Sequence, residues 1–413
     1  MATPPSLTLG TLVLGGENQT SVIAVTDTIF LSQDVSNVYL VTSPAGDVLI
    51  NTGTVAGARR HQDFFRPVRQ GPLTHIILTQ GHPDHFGGLS ALKETGTVVV
   101  AQRNLARVRG YMNALKPFYG RRTQKLWGPI LGEGHGLANP EDPKPNQVVD
   151  HHLAFTVGTR QFELLATPGG ETLDSLVVWL PQERTVFTGN LLGPVYLHMP
   201  NLYTLRGDKI RSVVQFLEDV EKVRSLEPEL LITGHGEPVR GAARIQEDLI
   251  RLRDGVRHVY DATIAGMNAG IDLFTLMNDI TLPPELALGE GHGKVSWAVR
   301  AIWEEHAGWF RFESTTEIYG VPPRAVAGDI LDLAGGPDSL AARAQHLVDR
   351  GQALKALHLV DISLAAQPDH RASLRAKQGA LAALLAACEG NNLSETMWLK
   401  AELAATQERW ESQ

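Results

Sequence analysis

The chain has 413 residues, enough for two or three domains at about 150 residues each. Its 37 basic and 45 acidic side chains leave a net charge of −8, which lacks the clustered cations that nucleic-acid binding requires, and no apolar run reaches the roughly 18 residues of a membrane span. A hydrophobic share of 43% supplies ordinary cores, and a single cysteine, Cys388, excludes internal disulfides and thiolate zinc sites, so a metal site must be built from the 15 histidines and the carboxylates.

The N-terminal MATPPSLTLG has neither the basic region nor the apolar stretch of a secretory signal, so the expected location is cytoplasmic. From residue 11 to about 56, TLVLGG, SVIAVTDTIFLSQ and NVYLVTSPAGDVLINTG read as strands and turns, with Pro44-Ala45-Gly46-Asp47 as a hairpin turn. THIILTQG (74–81) reads as a buried strand, SALKETG as helical, TVVVAQ as a strand and 102–117 as a helix. Residues 119–150 are dense in Gly and Pro and predict a long loop. Hairpins follow at 155–169 and 175–190, then a helix over 208–226 and a strand at ELLITGHG (229–236). Beyond about 240 the apolar spacing turns helical. Residues 352–387 read as a helical hairpin bent at Pro368-Asp369, similar to one tetratricopeptide-type unit. The expectation is an α/β domain over 1–245 followed by an all-α domain over 246–413.

The chemistry concentrates in Gln80-Gly81-His82-Pro83-Asp84-His85-Phe86-Gly87-Gly88, directly after a strand. Two imidazoles and a carboxylate within four positions can wrap a cation, and neutral imidazole with carboxylate suits Zn²⁺ and related ions. Three later strand ends carry a polar residue beside glycine: Thr167-Pro168-Gly169-Gly170-Glu171, Phe187-Thr188-Gly189-Asn190 and Thr233-Gly234-His235-Gly236. In α/β folds ligands gather at such ends.

This pattern resembles the metallo-β-lactamase fold superfamily, whose usual loop is His-x-His-x-Asp-His. The resemblance implies an αββα sandwich. Asn201-Leu202-Tyr203-Thr204-Leu205-Arg206-Gly207 and the Thr-Pro-Gly-x-Glu stretch are similar to the alkyl sulfatase branch. Val295-Ser296-Trp297 through Gly308-Trp309-Phe310 and the Met397-Trp398-Leu399 region resemble that branch's dimerisation domain. The resemblance spans about residues 20–413. It implies a small-molecule ester substrate, a sulfate ester first, cleaved by a metal-bound hydroxide, and a homodimer formed through the helical domain.

Residue by residue, the resemblance implies Gln80, His82 and Glu171 on a first metal and Asp84, His85 and His235 on a second. Asn190 either bridges through its carbonyl oxygen or hydrogen-bonds the metal water. Gln80 and Asn190 are amides where the superfamily has histidine and a bridging acid, so one or two zinc ions, with iron or manganese as alternatives, all fit. Arg206, with Tyr203 and Asn201, is the implied anion-binding group. Asp84 is the implied catalytic carboxylate. The branch's leaving-group histidine is replaced by Pro200, and His198 two residues earlier is its candidate substitute. The branch's sterol-carrier-like domain has no counterpart in these 413 residues, which argues against long alkyl substrates. Two other readings stay open: a di-iron redox enzyme on the same fold, and a dimeric binding scaffold with a degenerate site. His292 in Gly291-His292-Gly293 reads as a packing residue.

Overall fold

The computed structural model describes residues 9–135, 140–209 and 211–412, the side chains of 131–135 excepted. The chain divides into two compact units, Met1–His306 and Ala307–Gln413.

The first unit is built on two mixed sheets. One has seven strands in chain order, running from Ile23–Ala24 and Ile29–Ser32 through Val38–Val41, Asp47–Ile50, Leu73–Ile77 and Val98–Gln102 to Gln147–Val149. Its first four strands pair antiparallel, and pairing is parallel from Asp47–Ile50 onward. The other sheet has six strands, from Val239–Arg240 through Leu230–Ile232, Thr185–Phe187, Leu176–Leu180 and Arg160–Ala166 to His152–Val157. Only Thr185–Phe187 and Leu230–Ile232 pair parallel in it.

Side-chain alternation sorts the strands into layers, because successive Cβ atoms point to opposite faces. Ile50, Ile77 and Val100 from the first sheet meet Leu164, Val178 and Phe187 from the second in one buried cluster. Their neighbours Leu49, Ile76 and Val99 point outward, onto Phe65, Phe86 and Leu105 of the flanking helices. Val177 and Val186 point outward from the second sheet, onto Phe216, Leu249 and Ile302. The result is helix, sheet, sheet, helix, as the resemblance implies. Each Val, Leu or Ile fully withdrawn from water contributes about 1.5–3 kcal/mol.

By compactness the chain divides between His306 and Ala307, a different measure from the expected domain boundary at 245/246. Helices Ala242–Asn268 and Val295–Ala307 have helical periodicity, but they bury Ile245, Leu252, Val256, Val299 and Ile302 in the same cluster as Val177 and Val186. Two local expectations are corrected. The segment expected as a loop over 119–150 is helical as far as Lys116–His135, and Pro129 sits inside that helix. Its Gly and Pro content hid a buried Leu126 that anchors it. TLVLGG forms no strand: Leu9–Val13 is a short helix whose Leu9 and Val13, four residues apart, are both buried.

The second unit is all helical. Pro337–Asp349, Ala353–Ala366 and Arg371–Ala387 pack around Ala344, Ala356, Val360, Ala376 and Ala380. These small side chains let the helices approach closely. His370 caps Arg371–Ala387 by accepting from the Ser373 amide, which puts the expected bend at 368–370. Among the described residues no helix is long and apolar enough to cross a membrane.

Candidate metal centre

His82 occupies the N-cap of a one-turn helix, Pro83–Phe86, and Pro83 takes the first helical position where its missing N–H costs nothing. That turn carries Asp84 and His85 inward. His235 arrives on the loop after Leu230–Ile232. One ligand atom from each of Asp84, His85 and His235 lies within 4.8 Å of the others. Gly234 makes this approach possible: a Cβ there would stand 2.4 Å from Asn190 Oδ1 and 3.2 Å from the His85 ring.

The loop after Asp47–Ile50 fixes the His85 tautomer. Asn51 Oδ1 accepts from the Thr79 amide at 2.9 Å and from the Thr79 hydroxyl at 3.1 Å. With its proton committed, Thr79 Oγ1 can only accept from His85 Nδ1, 3.3 Å away. The Nδ1–H form leaves the His85 Nε2 lone pair facing Asp84 and His235, the orientation a metal needs. Asn51 adopts φ +60° to do this, a conformation most side chains avoid.

Electrostatics agree with ligand duty. Burial pushes His85 down to about 4, and pushes His82 to about 3 with Arg206 assisting. Burial also lowers His235. All three imidazoles are therefore neutral at pH 7. Burial alone would raise Asp84, but His85, His235, His82 and the Ser36 hydroxyl hold it well below the usual carboxylate range. One carboxylate and two neutral imidazoles with an open side form the donor set of a catalytic zinc site, and non-haem iron accepts the same set.

The remaining expected ligands are engaged otherwise. Gln80 Nε2 lies 2.6 Å from His82 Nδ1, and Gln80 Oε1 accepts from the Asn190 amide at 3.4 Å. Asn190 Oδ1 is buried with no hydrogen-bond partner. Glu171 forms a buried ion pair with Arg211, yet burial outweighs Arg211 and pushes its carboxyl up to about 7. The structure thus gathers Asp84, His85 and His235, and it leaves Gln80, His82 and Glu171 beside them on their own partners.

On the substrate side, Arg206 is paired with Asp208, and its charge is felt by His82 and Glu171. Arg211 donates to the Asn201 carbonyl at 3.0 Å, while Asn201 Oδ1 is buried without a partner. Tyr203 hydrogen-bonds Glu304 on Val295–Ala307, and burial together with that carboxylate raises its hydroxyl pKa. His198 accepts from the Gly291 amide at 2.8 Å and lies against Gly289. Burial lowers His198. Burial and the charges of Arg211, His235 and Arg206 hold His292 well below the usual imidazole range, so the loop residue read as packing senses the groups of the centre. Arg211, His292, Asn51 and Ser36 were missed. Asn51-Thr52-Gly53 repeats the polar-plus-glycine strand end that marked the other loops, and that was the available signal.

A two-sheet sandwich flanked by helices, with histidine and aspartate side chains gathered at its strand ends where they could hold a metal ion, is the arrangement of a metallo-hydrolase fold. Residues 31–235 match the metallo-beta-lactamase superfamily and residues 275–407 match the alkyl sulfatase dimerisation family. The chain thus carries a metallo-beta-lactamase domain followed by an alkyl sulfatase dimerisation domain. It is 28% identical over 336 residues to a linear primary-alkylsulfatase of Pseudomonas, covering 74% of this chain and 62% of that one. It is 24% identical to an alkyl/aryl-sulfatase of Saccharomyces cerevisiae, covering 79% and 55%. The stereoselective inverting sec-alkylsulfatase Pisa1 from Pseudomonas superposes with a TM-score of 0.81 at 22% identity, over 94% of this chain and 65% of that one. The chain therefore spans less than two thirds of the length of these relatives.

Proposed function

We propose that the protein is a metal-dependent hydrolase of small sulfate esters, working as a homodimer with zinc at Asp84, His85 and His235. The observation that carries this reading is the convergence of those three residues near two guanidinium groups, the half-buried Arg206 and the buried Arg211. The names of the relatives point the same way, since they are alkylsulfatases. When bound, a divalent ion supplies a Lewis acid and the means to ionise water at neutral pH.

The chain's own residues do the rest. Asp208 fixes the plane of Arg206, which then offers a two-pronged donor to sulfate oxygens. Arg211 holds Glu171 and the Asn201 carbonyl, and so sets the wall opposite. Asn201 Oδ1, without a partner in the protein, is an acceptor for a substrate or water proton. His292 rather than His198 is the imidazole assigned to the ester oxygen that leaves as an alcohol. Glu171 and Gln80 with His82 form the adjoining polar shell, where a second ion would need Glu171 released from Arg211.

The test is metal analysis of protein purified without added metal, joined to a panel of alkyl sulfates, phosphate esters and carboxylic esters. A stoichiometric ion and turnover of the sulfates are expected. Turnover of phosphate or carboxylic esters alone would sink the sulfatase assignment. An iron-loaded protein with an oxygen-dependent reaction would favour redox chemistry, and absence of any ion would leave a binding scaffold.

A further inference from the structure

Ser36 is fully buried on the loop between Ile29–Ser32 and Val38–Val41, and the proposed catalysis leaves it without a role. Its hydroxyl contacts all three ligands. It donates to Asp84 Oδ2, and it lies 3.0 Å from His85 Nε2 and 3.4 Å from His235 Nε2. A hydroxyl carries one proton, which goes to the carboxylate. His85 Nε2 is a lone pair in the tautomer set by Thr79, so the Ser36 oxygen and the His85 nitrogen face each other with no proton between them. Buried acceptors in that arrangement call for a cation.

The spacing is close to what an ion needs. Donors about 2.0–2.2 Å from a tetrahedral ion stand about 3.3–3.6 Å apart. Ser36 to His235 at 3.4 Å and Asp84 to His85 at 3.5 Å match that, while Ser36 to His85 at 3.0 Å and Asp84 to His235 at 4.0 Å lie a few tenths of an ångström to either side. The Ser36–Asp84 hydrogen bond is shorter than ligand spacing, so an ion would replace the proton between those two oxygens and part them.

The loop that carries Ser36 is held in place from both sides. Asn37 donates its amide to the Gly234 carbonyl at 2.8 Å and its side-chain nitrogen to the Gly236 carbonyl at 2.8 Å. Asp34 accepts from the Thr54 amide at 2.7 Å and pairs with His61 at 3.1 Å. The same loop is thus tied to the His235 loop on one side and to the first-sheet loops on the other. That rigidity is what a ligand, rather than a passing contact, requires.

We infer that Ser36 Oγ is a fourth protein donor to the ion held by Asp84, His85 and His235, an ion that would then need a fifth position for water or substrate. It supplies an oxygen at a centre where Asn190 brings a neutral amide in place of a bridging acid. This rests on the reading of those three residues as metal ligands.

The test uses full-length protein reconstituted with Co²⁺, followed by absorption spectroscopy and titration. Wild type should show cobalt d–d bands in the visible. Ser36→Cys, nearly isosteric, should add an intense near-ultraviolet thiolate-to-cobalt band, because a thiolate in that position is a soft ligand. Wild type, which already contains Cys388, is the control for that band. Ser36→Ala should weaken cobalt affinity by about 10–100-fold, the range typical of residues that support a metal site. Circular dichroism establishes that each variant is folded, and if the alanine variant is not, the cysteine variant decides alone. A folded Ser36→Cys protein that binds cobalt without the new band overturns the inference and leaves the three-ligand site standing. Failure of wild type to bind cobalt overturns both.

Discussion

Asp84, His85 and His235 bring neutral imidazoles and an ionised carboxylate together in one largely buried space at pH 7. This has a consequence for the metal-free protein. Between pH 6.5 and 4 the unfolded chain binds protons on His85 that the folded chain refuses, since burial holds His85 at about 4. More protons on the unfolded state means that stability rises with pH and falls as pH drops through this window. The melting temperature of metal-free protein should therefore decline from pH 6.5 to 4, and His85→Gln should flatten that slope. A parallel slope in the variant would assign the acid sensitivity elsewhere. Arg211 is the other residue with a large expected effect. Arg211→Ala strands the Glu171 carboxylate in a buried site and should cost about 3–5 kcal/mol, measured by denaturant unfolding at pH 8. Because Glu171 takes up a proton near pH 7, the loss should shrink at pH 5.

At the scale of elements, the helices after residue 240 are the informative case. Ala242–Asn268 and Val295–Ala307 carry the 3.6-residue spacing that marks any amphipathic helix, and spacing does not say which surface a helix covers. Their buried residues are shared with the second sheet, so they belong to the unit that carries the metal ligands. Ile302→Ala should then destabilise that unit by about 2–5 kcal/mol, the usual cost of such a cavity, and weaken metal retention on heating. An unfolding transition of the second unit alone would contradict this. Lys116–His135 teaches the converse lesson: local composition argued for a loop, while burial of Leu126 shows the tertiary anchor that favours a helix.

At the scale of the whole molecule, the second unit exposes large apolar side chains, with Trp309 70%, Phe312 87% and Leu333 89% accessible. Under the proposed homodimer these side chains are candidates for the interface, because the family matched over 275–407 is a dimerisation family. Sedimentation should give twice the 44.9 kDa chain mass, and the double variant Phe312→Ser, Leu333→Ser should shift it toward the monomer. A dimer unchanged by that variant would move the interface elsewhere. Metal should also stabilise the whole: an ion at 100 times its dissociation constant adds about 2.7 kcal/mol to stability, so a chelator should lower the melting temperature.

The sequence alone determined an α/β region, the helical region after it, and the loop that delivers His82, Asp84 and His85. These follow from hydrophobic period and from a dense local motif, and both are properties of neighbouring residues, whereas the layering of the sheets was implied only by the family resemblance. What it left open depends on contacts between distant segments. Ser36 and His235 are far apart in sequence yet meet at 3.4 Å, and Glu171 reaches Arg211 rather than waiting as a bare ligand. Asn51 orders His85 through Thr79, which no spacing rule encodes. Only the tertiary structure decided which polar groups share a buried space, because a group's partner and protonation are set by what lies within a few ångströms after folding.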